Sequence, residues 1–185
     1  MFSFRYIFFI LISVLFFSCE NDIEKIKIIT SKEKSPIESA RNIEILYSDS
    51  GIVRTQIISP ELNRYISDKP YLELPKGVKV LFFNDSMKVQ SWLTANYAKK
   101  YEREKKMEAK NNVVVVNEKG DQLNTEHLIW DEQQEKIFSD AFVKITTADE
   151  IIYGDGLEAN QNFTQYKIFN IKGTINLKEQ NAKIP

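Results

Sequence analysis

From residue 42 onward, apolar side chains recur at every second position in short runs separated by turn residues. Ile43, Ile45 and Tyr47 share one face of residues 42–48, and Asp49-Ser50-Gly51 turns that run into residues 52–58. Val78, Val80 and Phe82 alternate next, and Asn84-Asp85-Ser86 leads into residues 88–95. Residues 112–117 form a valine run, which Glu118-Lys119-Gly120-Asp121 turns into residues 122–130; residues 142–147, 151–153 and 166–177 complete the set. A period of two places successive side chains on opposite faces, which suits a pleated strand and not a helix. The runs are rich in β-branched and aromatic residues, and turns roughly every 8 to 12 residues predict an all-β sandwich or roll. Only residues 98–109 have helical propensity. Their dense charge over 99–106 reads instead as a hairpin loop between strand ends at Tyr97 and Met107.

A weak internal repeat runs through these strands. Ala95-Asn96-Tyr97-Ala98, Thr125-Glu126-His127-Leu128 and Gly154-Asp155-Gly156-Leu157 recur about every 30 residues, each followed by a second strand at 107–109, 137–139 or 166–168. Ser59-Pro60-Glu61-Leu62 resembles a degenerate earlier copy. Stacked hairpin units bury one continuous apolar strip that no single unit could bury. The small residue at each step, Ser59, Ala95, Thr125 or Gly154, fits a place too tight for a large side chain. Chance likeness among short strands is the alternative on spacing alone.

The N-terminus has the layout of a secretory signal over residues 1–18. Arg5 precedes an apolar run, residues 6–17, which at about a dozen residues is too short to cross a hydrocarbon layer roughly 30 Å thick. Ser18 then precedes Cys19, the chain's single cysteine, and Glu20-Asn21-Asp22 turns the sequence polar. This is the arrangement a lipoprotein signal peptidase reads, although Phe16 stands where leucine is usual. Cys19 is therefore the expected lipidation site and the mature N-terminus. Each buried CH₂ contributes about 0.8 kcal/mol, so the three acyl chains of a bacterial lipoprotein hold firmly where one would not. Residues 19–41 read as a tether, with an apolar patch at 26–29 that could pair as an edge strand. The domain spans 42–178, and 179–185 are a polar tail.

Function classes fall away on chemistry. Lys and Arg number 25 against 26 Asp and Glu, and cleavage removes only Arg5, so no electrostatic case exists for nucleic acid. His127 is the only histidine, which excludes two-histidine metal sites, and it reads as an ordinary surface or half-buried residue. No cysteine remains for nucleophilic catalysis, no serine has a nucleophile-elbow context, and no phosphate-cradling loop is present. Gly154 and Gly156 flank one aspartate, a turn or bulge signature. Asp131-Glu132 and Asp149-Glu150 read as solvated turn charges. Asn162-Phe163-Thr164 is a glycosylation sequon by pattern only. Asp85-Ser86-Met87 resembles a short O-glycosylation acceptor. The expectation is a protein that is not an enzyme and holds neither cofactor nor metal.

Taken in order, several segments resemble the LptC family: Leu93-Thr94-Ala95-Asn96-Tyr97-Ala98, then Asn112-Val113-Val114-Val115-Val116-Asn117-Glu118-Lys119-Gly120, then Leu123-Asn124-Thr125-Glu126-His127-Leu128-Ile129-Trp130-Asp131. Ile137-Phe138-Ser139-Asp140, Val143-Lys144-Ile145-Thr146-Thr147 and Ile152-Tyr153-Gly154-Asp155-Gly156-Leu157 continue the likeness, which covers about residues 42–177 and is nearest the Bacteroidetes form. Gly154 falls at the glycine the family carries before its last strands.

The resemblance implies a twisted β-jellyroll, open along one side, whose interior receives the acyl chains of lipopolysaccharide. It implies an N-terminal edge docked on an inner-membrane ABC transporter and a C-terminal edge that hands lipid to an LptA-like periplasmic bridge protein. Proteobacterial members keep a transmembrane helix where this chain has a lipobox. Glu20 is not the aspartate that marks inner-membrane retention in enterobacteria, so the periplasmic face of the inner membrane follows from the resemblance and not from the signal. Groove candidates are Ile45, Val80, Phe82, Leu93, Val113, Val115, Trp130, Val143 and Ile145, and each serves equally as plain core. An LptA-like bridge protein and a structural envelope lipoprotein that scaffolds a complex without binding lipid are the competing readings.

Overall fold

A computed structural model describes residues 35–177. The signal, Cys19, the 26–29 patch and the polar tail lie outside the described residues. The strands are β1 (Glu38–Asp49), β2 (Ile52–Tyr65), β3 (Tyr71–Leu74), β4 (Val78–Phe83), β5 (Val89–Ala95) and β6 (Tyr97–Tyr101). They continue as β7 (Lys106–Asn117), β8 (Gln122–Asp131), β9 (Lys136–Thr146), β10 (Glu150–Asn160), β11 (Tyr166–Ile168) and β12 (Ile171–Asn176). All pairings are antiparallel and join the twelve into one sheet, a β-jellyroll.

The long strands change partner half-way. β2 pairs with β4 through residues 55–58 and with β3 through 63–65, and β7 pairs with β6 through 106–110 and with β5 through 114–117. The sheet therefore folds over on itself. A front layer holds β4, β5, β12 and one half of each long strand; a back layer holds β3, β6, β11 and the other halves. The fold line is marked by broken register and left-handed backbone: Asn42 at φ 51° opposite Pro60, Gly77 at 93°, Asn111 and Asn112 at 63° and 54°, Gly156 at 93° and Asn170 at 46°. Register also breaks between Lys110 and Val113 in β7, and between Thr125 and Ile129 in β8.

Small residues occupy this line because neighbouring strands leave no room. A Cβ on Gly154 would overlap the Ile168 Cγ2 methyl and lie 2.8 Å from the Phe169 carbonyl oxygen. Hydroxyls serve carbonyls that the bend takes off the ladder. Ser59 Oγ donates to the Gly77 carbonyl at 2.7 Å, Thr125 Oγ1 to that of Phe142 at 2.9 Å, and Ser139 Oγ to that of His127 at 2.8 Å. Buried carbonyls must find donors, so the side-chain type follows from the bend.

Strand positions agree with the alternation, and the differences have physical causes. β1 begins at Glu38 rather than Asn42, drawn into the ladder by Glu38–Arg64 and Ser39–Asn63 pairing. β2 runs on through Pro60 to Tyr65, because Pro60 faces the left-handed Asn42, where the ladder makes no bridge. The short strand β3 carries too little alternation to be legible. The loop expected over 99–106 is narrower: Lys99, Lys100 and Tyr101 belong to β6, and only residues 102–105 turn. Residues 166–177 bend at Phe169 and Asn170, returning along β10 as two strands instead of one.

Candidate functional site

The interior between the layers is built from one face of each strand. A single rung of cross-strand neighbours runs Ile45, Ile57, Val80, Leu93, Val115, Leu123, Ile145, Ile152 across the front layer. Facing it, Leu72, Lys100, Met107, Trp130, Ile137 and Ala159 form a rung of the back layer. Burying each large apolar side chain contributes about 1.5–3 kcal/mol relative to leaving it in water. The two rungs are thus both the core and the inner surface of the roll.

All nine groove candidates face this interior. Val80, Phe82, Leu93, Val113, Val115, Trp130, Val143 and Ile145 belong to its buried cluster, and Ile45 packs against it half-buried at the β1 edge. Phe82 and Trp130 meet across the gap. The sequence reading did not select Ile57, Leu123, Leu157 or Phe163, which are equally buried. Ile57 and Leu123 sit in the same alternation and were within reach of it; Phe163 lies in a turn and carried no periodic signal.

At the side opposite the fold line, the layers end in hairpin turns that form a mouth. A cleft of ≈ 690 Å³ opens there, lined by Tyr47, Arg54, Phe83, Trp130, Glu132 and Gln161 among others. Two ion pairs lie at this rim, Arg54 with Asp85, and Lys100 Nζ with Glu132 Oε2 at 3.0 Å. Lys100 is only 8% exposed and places its ammonium 4.1 Å from the Tyr47 ring centroid, bridging back layer to front.

Two expectations about charge are corrected here. Asp131 is not a solvated turn charge but is 3% exposed, its Oδ1 accepting the N–H of Gln133 and Gln134 at 3.1 and 3.0 Å. The Gln134 N–H above all, with Lys106, outweighs desolvation and holds its carboxyl below the ordinary range. Glu132 turns to Lys100 instead of solvent. His127 is mostly covered on the outer face of the back layer, its Nδ1 2.7 Å from Asp140 and its Nε2 2.8 Å from Glu108. Desolvation pulls the Glu108 carboxyl upward, but hydrogen bonds from Lys110 and His127 prevail and keep it low; His127 does the same for Asp140. These pairs tie neighbouring strands together. Among the described residues, no three His, Cys, Asp or Glu side chains are grouped to hold a metal ion.

Of the remaining motif positions, Asp85 sits in an exposed turn that Asn84 Oδ1 organises by accepting the N–H groups of Ser86 and Lys88. Asp149 is exposed at the β9–β10 turn. Gly154 and Gly156 lie inside β10, where register shifts between Asp155 and Leu157.

The chain matches a family model, Lipopolysaccharide-assembly, LptC-related, over residues 6–176. The chain belongs to the LptC family. Membership makes it a component of lipopolysaccharide transport associated with the periplasmic side of the inner membrane. LptC proteins are transport components and generally not catalysts. No curated protein is significantly similar to the chain.

Proposed function

We propose that this LptC protein receives lipopolysaccharide from the inner-membrane ABC transporter and passes it along a β-jellyroll bridge toward the outer membrane. The observation that carries this reading is the inward apolar rung, which runs unbroken from Ile45 on edge strand β1 to Ile152 beside the last strands. An apolar surface that reaches from the β1 edge across to β10, one strand short of edge strand β12 where Thr174 continues the rung, suits a sliding acyl chain. Among the described residues β1 pairs only with β2 and so presents an edge for the transporter's periplasmic domains, and β11 and β12 present one for an LptA-like bridge protein.

In this reading the chain is a conduit and not a catalyst. Lipid on Cys19 replaces the family's helix and holds the domain at the periplasmic face of the inner membrane. Ile45, Val80, Phe82, Leu93, Val113, Val115, Trp130, Val143 and Ile145 form the acyl-binding wall, and Gly154 and Gly156 allow the bend beside it. Photo-crosslinking in cells from Phe82 or Val115 tests the reading. Adducts with lipopolysaccharide are expected at these inward positions and not at outward Trp92 or Val116. Absence of adducts at every inward position would leave a scaffolding lipoprotein as the better account.

A further inference from the structure

The two layers do not close the mouth alone. Residues 160–165, the turn between β10 and β11, leave the back layer and cross to the front. Ser91 Oγ donates to the Gln161 carbonyl at 3.0 Å and Asn117 Nδ2 to the Phe163 carbonyl at 2.8 Å, both from front-layer strands. On the back layer, Trp130 Nε1 donates to Gln161 Oε1 at 3.2 Å, and the Gln161 N–H donates to the Glu135 carbonyl at 2.8 Å. Asn160 braces the turn from within, its Oδ1 accepting the N–H groups of Thr164 and Gln165. At the tip, Phe163 is 0% exposed and stacks on Tyr166, ring centroids 5.1 Å apart.

One observation sets this turn apart. The other mouth turns have exposed tips, while this one inserts a phenyl ring between the layers. Phe163 reaches that position from a left-handed backbone, φ 52°, the conformation that Ser50, Met87, Lys105 and Glu135 also adopt in other mouth turns while their side chains stay outside. Its ring is continuous with the cluster that includes Leu123, Trp130, Val143 and Ile145.

We propose that Phe163 occupies a fatty-acyl subsite of the groove, and that residues 160–165 are a plug displaced by an incoming acyl chain. This inference rests on the conduit reading above. A saturated acyl chain has the chemistry of the ring it replaces, apolar and without hydrogen-bonding groups. The clamps on the plug are all polar and lie at the rim. On release, Ser91, Asn117 and Trp130 turn to water or to the ester, amide and hydroxyl groups that an acylated sugar brings to that level. Socket and rim each have a counterpart on the ligand.

The test uses the full chain with purified lipopolysaccharide as probe, captured by a photo-crosslinker at Phe82. Phe163→Ala is expected to lower the apparent dissociation constant about tenfold, the gain from populating fully a competent state otherwise populated at about a tenth. Ser91→Ala, which removes one clamp and leaves the ring, is expected to fall between native and Phe163→Ala. In the native complex, the Gln161 amide should lose its protection from hydrogen exchange. Equal or weaker capture by both variants, with Gln161 still protected in the complex, overturns the plug and leaves the conduit standing. No capture by any form sinks the conduit reading and the plug with it. Should Phe163→Ala fail to fold, Ser91→Ala and the Gln161 amide decide the matter.

Discussion

Phe82 on β4 and Trp130 on β8 meet edge to face across the interior, ring centroids 5.1 Å apart and planes at 83°. This contact joins the two layers at mid-gap, and Trp130 also reaches the rim through Gln161. Trp130→Ala should cost about 3–5 kcal/mol in urea unfolding, the usual cost of deleting a buried tryptophan. Trp130→Phe keeps an aromatic ring and loses the indole donor, so it should cost about 1 kcal/mol.

The Lys100–Glu132 pair gives a second, asymmetric expectation. Lys100 is covered, while the Glu132 side chain is 31% exposed. Glu132→Gln keeps an amide oxygen as acceptor but leaves the covered ammonium without its counter-charge, and should destabilise by about 1–2 kcal/mol, less than for a fully buried pair because water reaches the rim. Lys100→Met replaces the cation with an apolar chain of similar length and should be close to neutral. Chemical denaturation of both variants checks the order.

Glycine at position 154 is required by contact and not by backbone angle. Gly154→Ala should therefore cost about 1–3 kcal/mol as Ile168 and the Phe169 carbonyl are pushed away. Gly173, paired with Tyr153 in the same sheet, has open space around its Cβ position. Gly173→Ala should stay within about 0.5 kcal/mol of native. Equal losses at the two sites would contradict the account of the fold line.

Acid should weaken the fold through carboxylates held low. Asp131, Asp140 and Glu108 have folded pKa values below their ordinary ones. Their contribution is complete above the unfolded values, about 4, and is lost as pH falls through the lowered folded values. Urea midpoints should be level from neutrality to about pH 5 and drop below pH 4. Asp131→Asn keeps an acceptor for Gln133 and Gln134 but cannot titrate, so its midpoint should fall less over the acid range.

Alternation made most of the front layer legible, because each strand there presents a strict two-residue period to one buried face. It also placed all nine selected side chains inward. It failed where the structure depends on events outside that period. β3 is four residues long, and Pro60 sits within a strand only because the residue opposite has turned left-handed. Lys100 looked solvated in a charged run, yet cross-strand pairing with Leu72 and Met107 on the inner face decides its direction. Phe163 was hidden in a sequon-like triplet within a turn. Its burial depends on Ser91 and Asn117, far away in sequence, donating to the turn's carbonyls across the mouth.

The fold line described earlier has a mechanical consequence. Each half-strand is about five residues long, an arm of roughly 16 Å at about 3.3 Å per residue. A rotation of about 10° along the line would displace the rim by roughly 3 Å while leaving every ladder within a layer intact. Because the line crosses all the long strands, that displacement is shared along the whole slot, as on the two boards of a book turning on one spine. Widening therefore takes a small dihedral change at residues such as Asn42, Asn112 and Gly156, multiplied by the leverage of the strands beyond them.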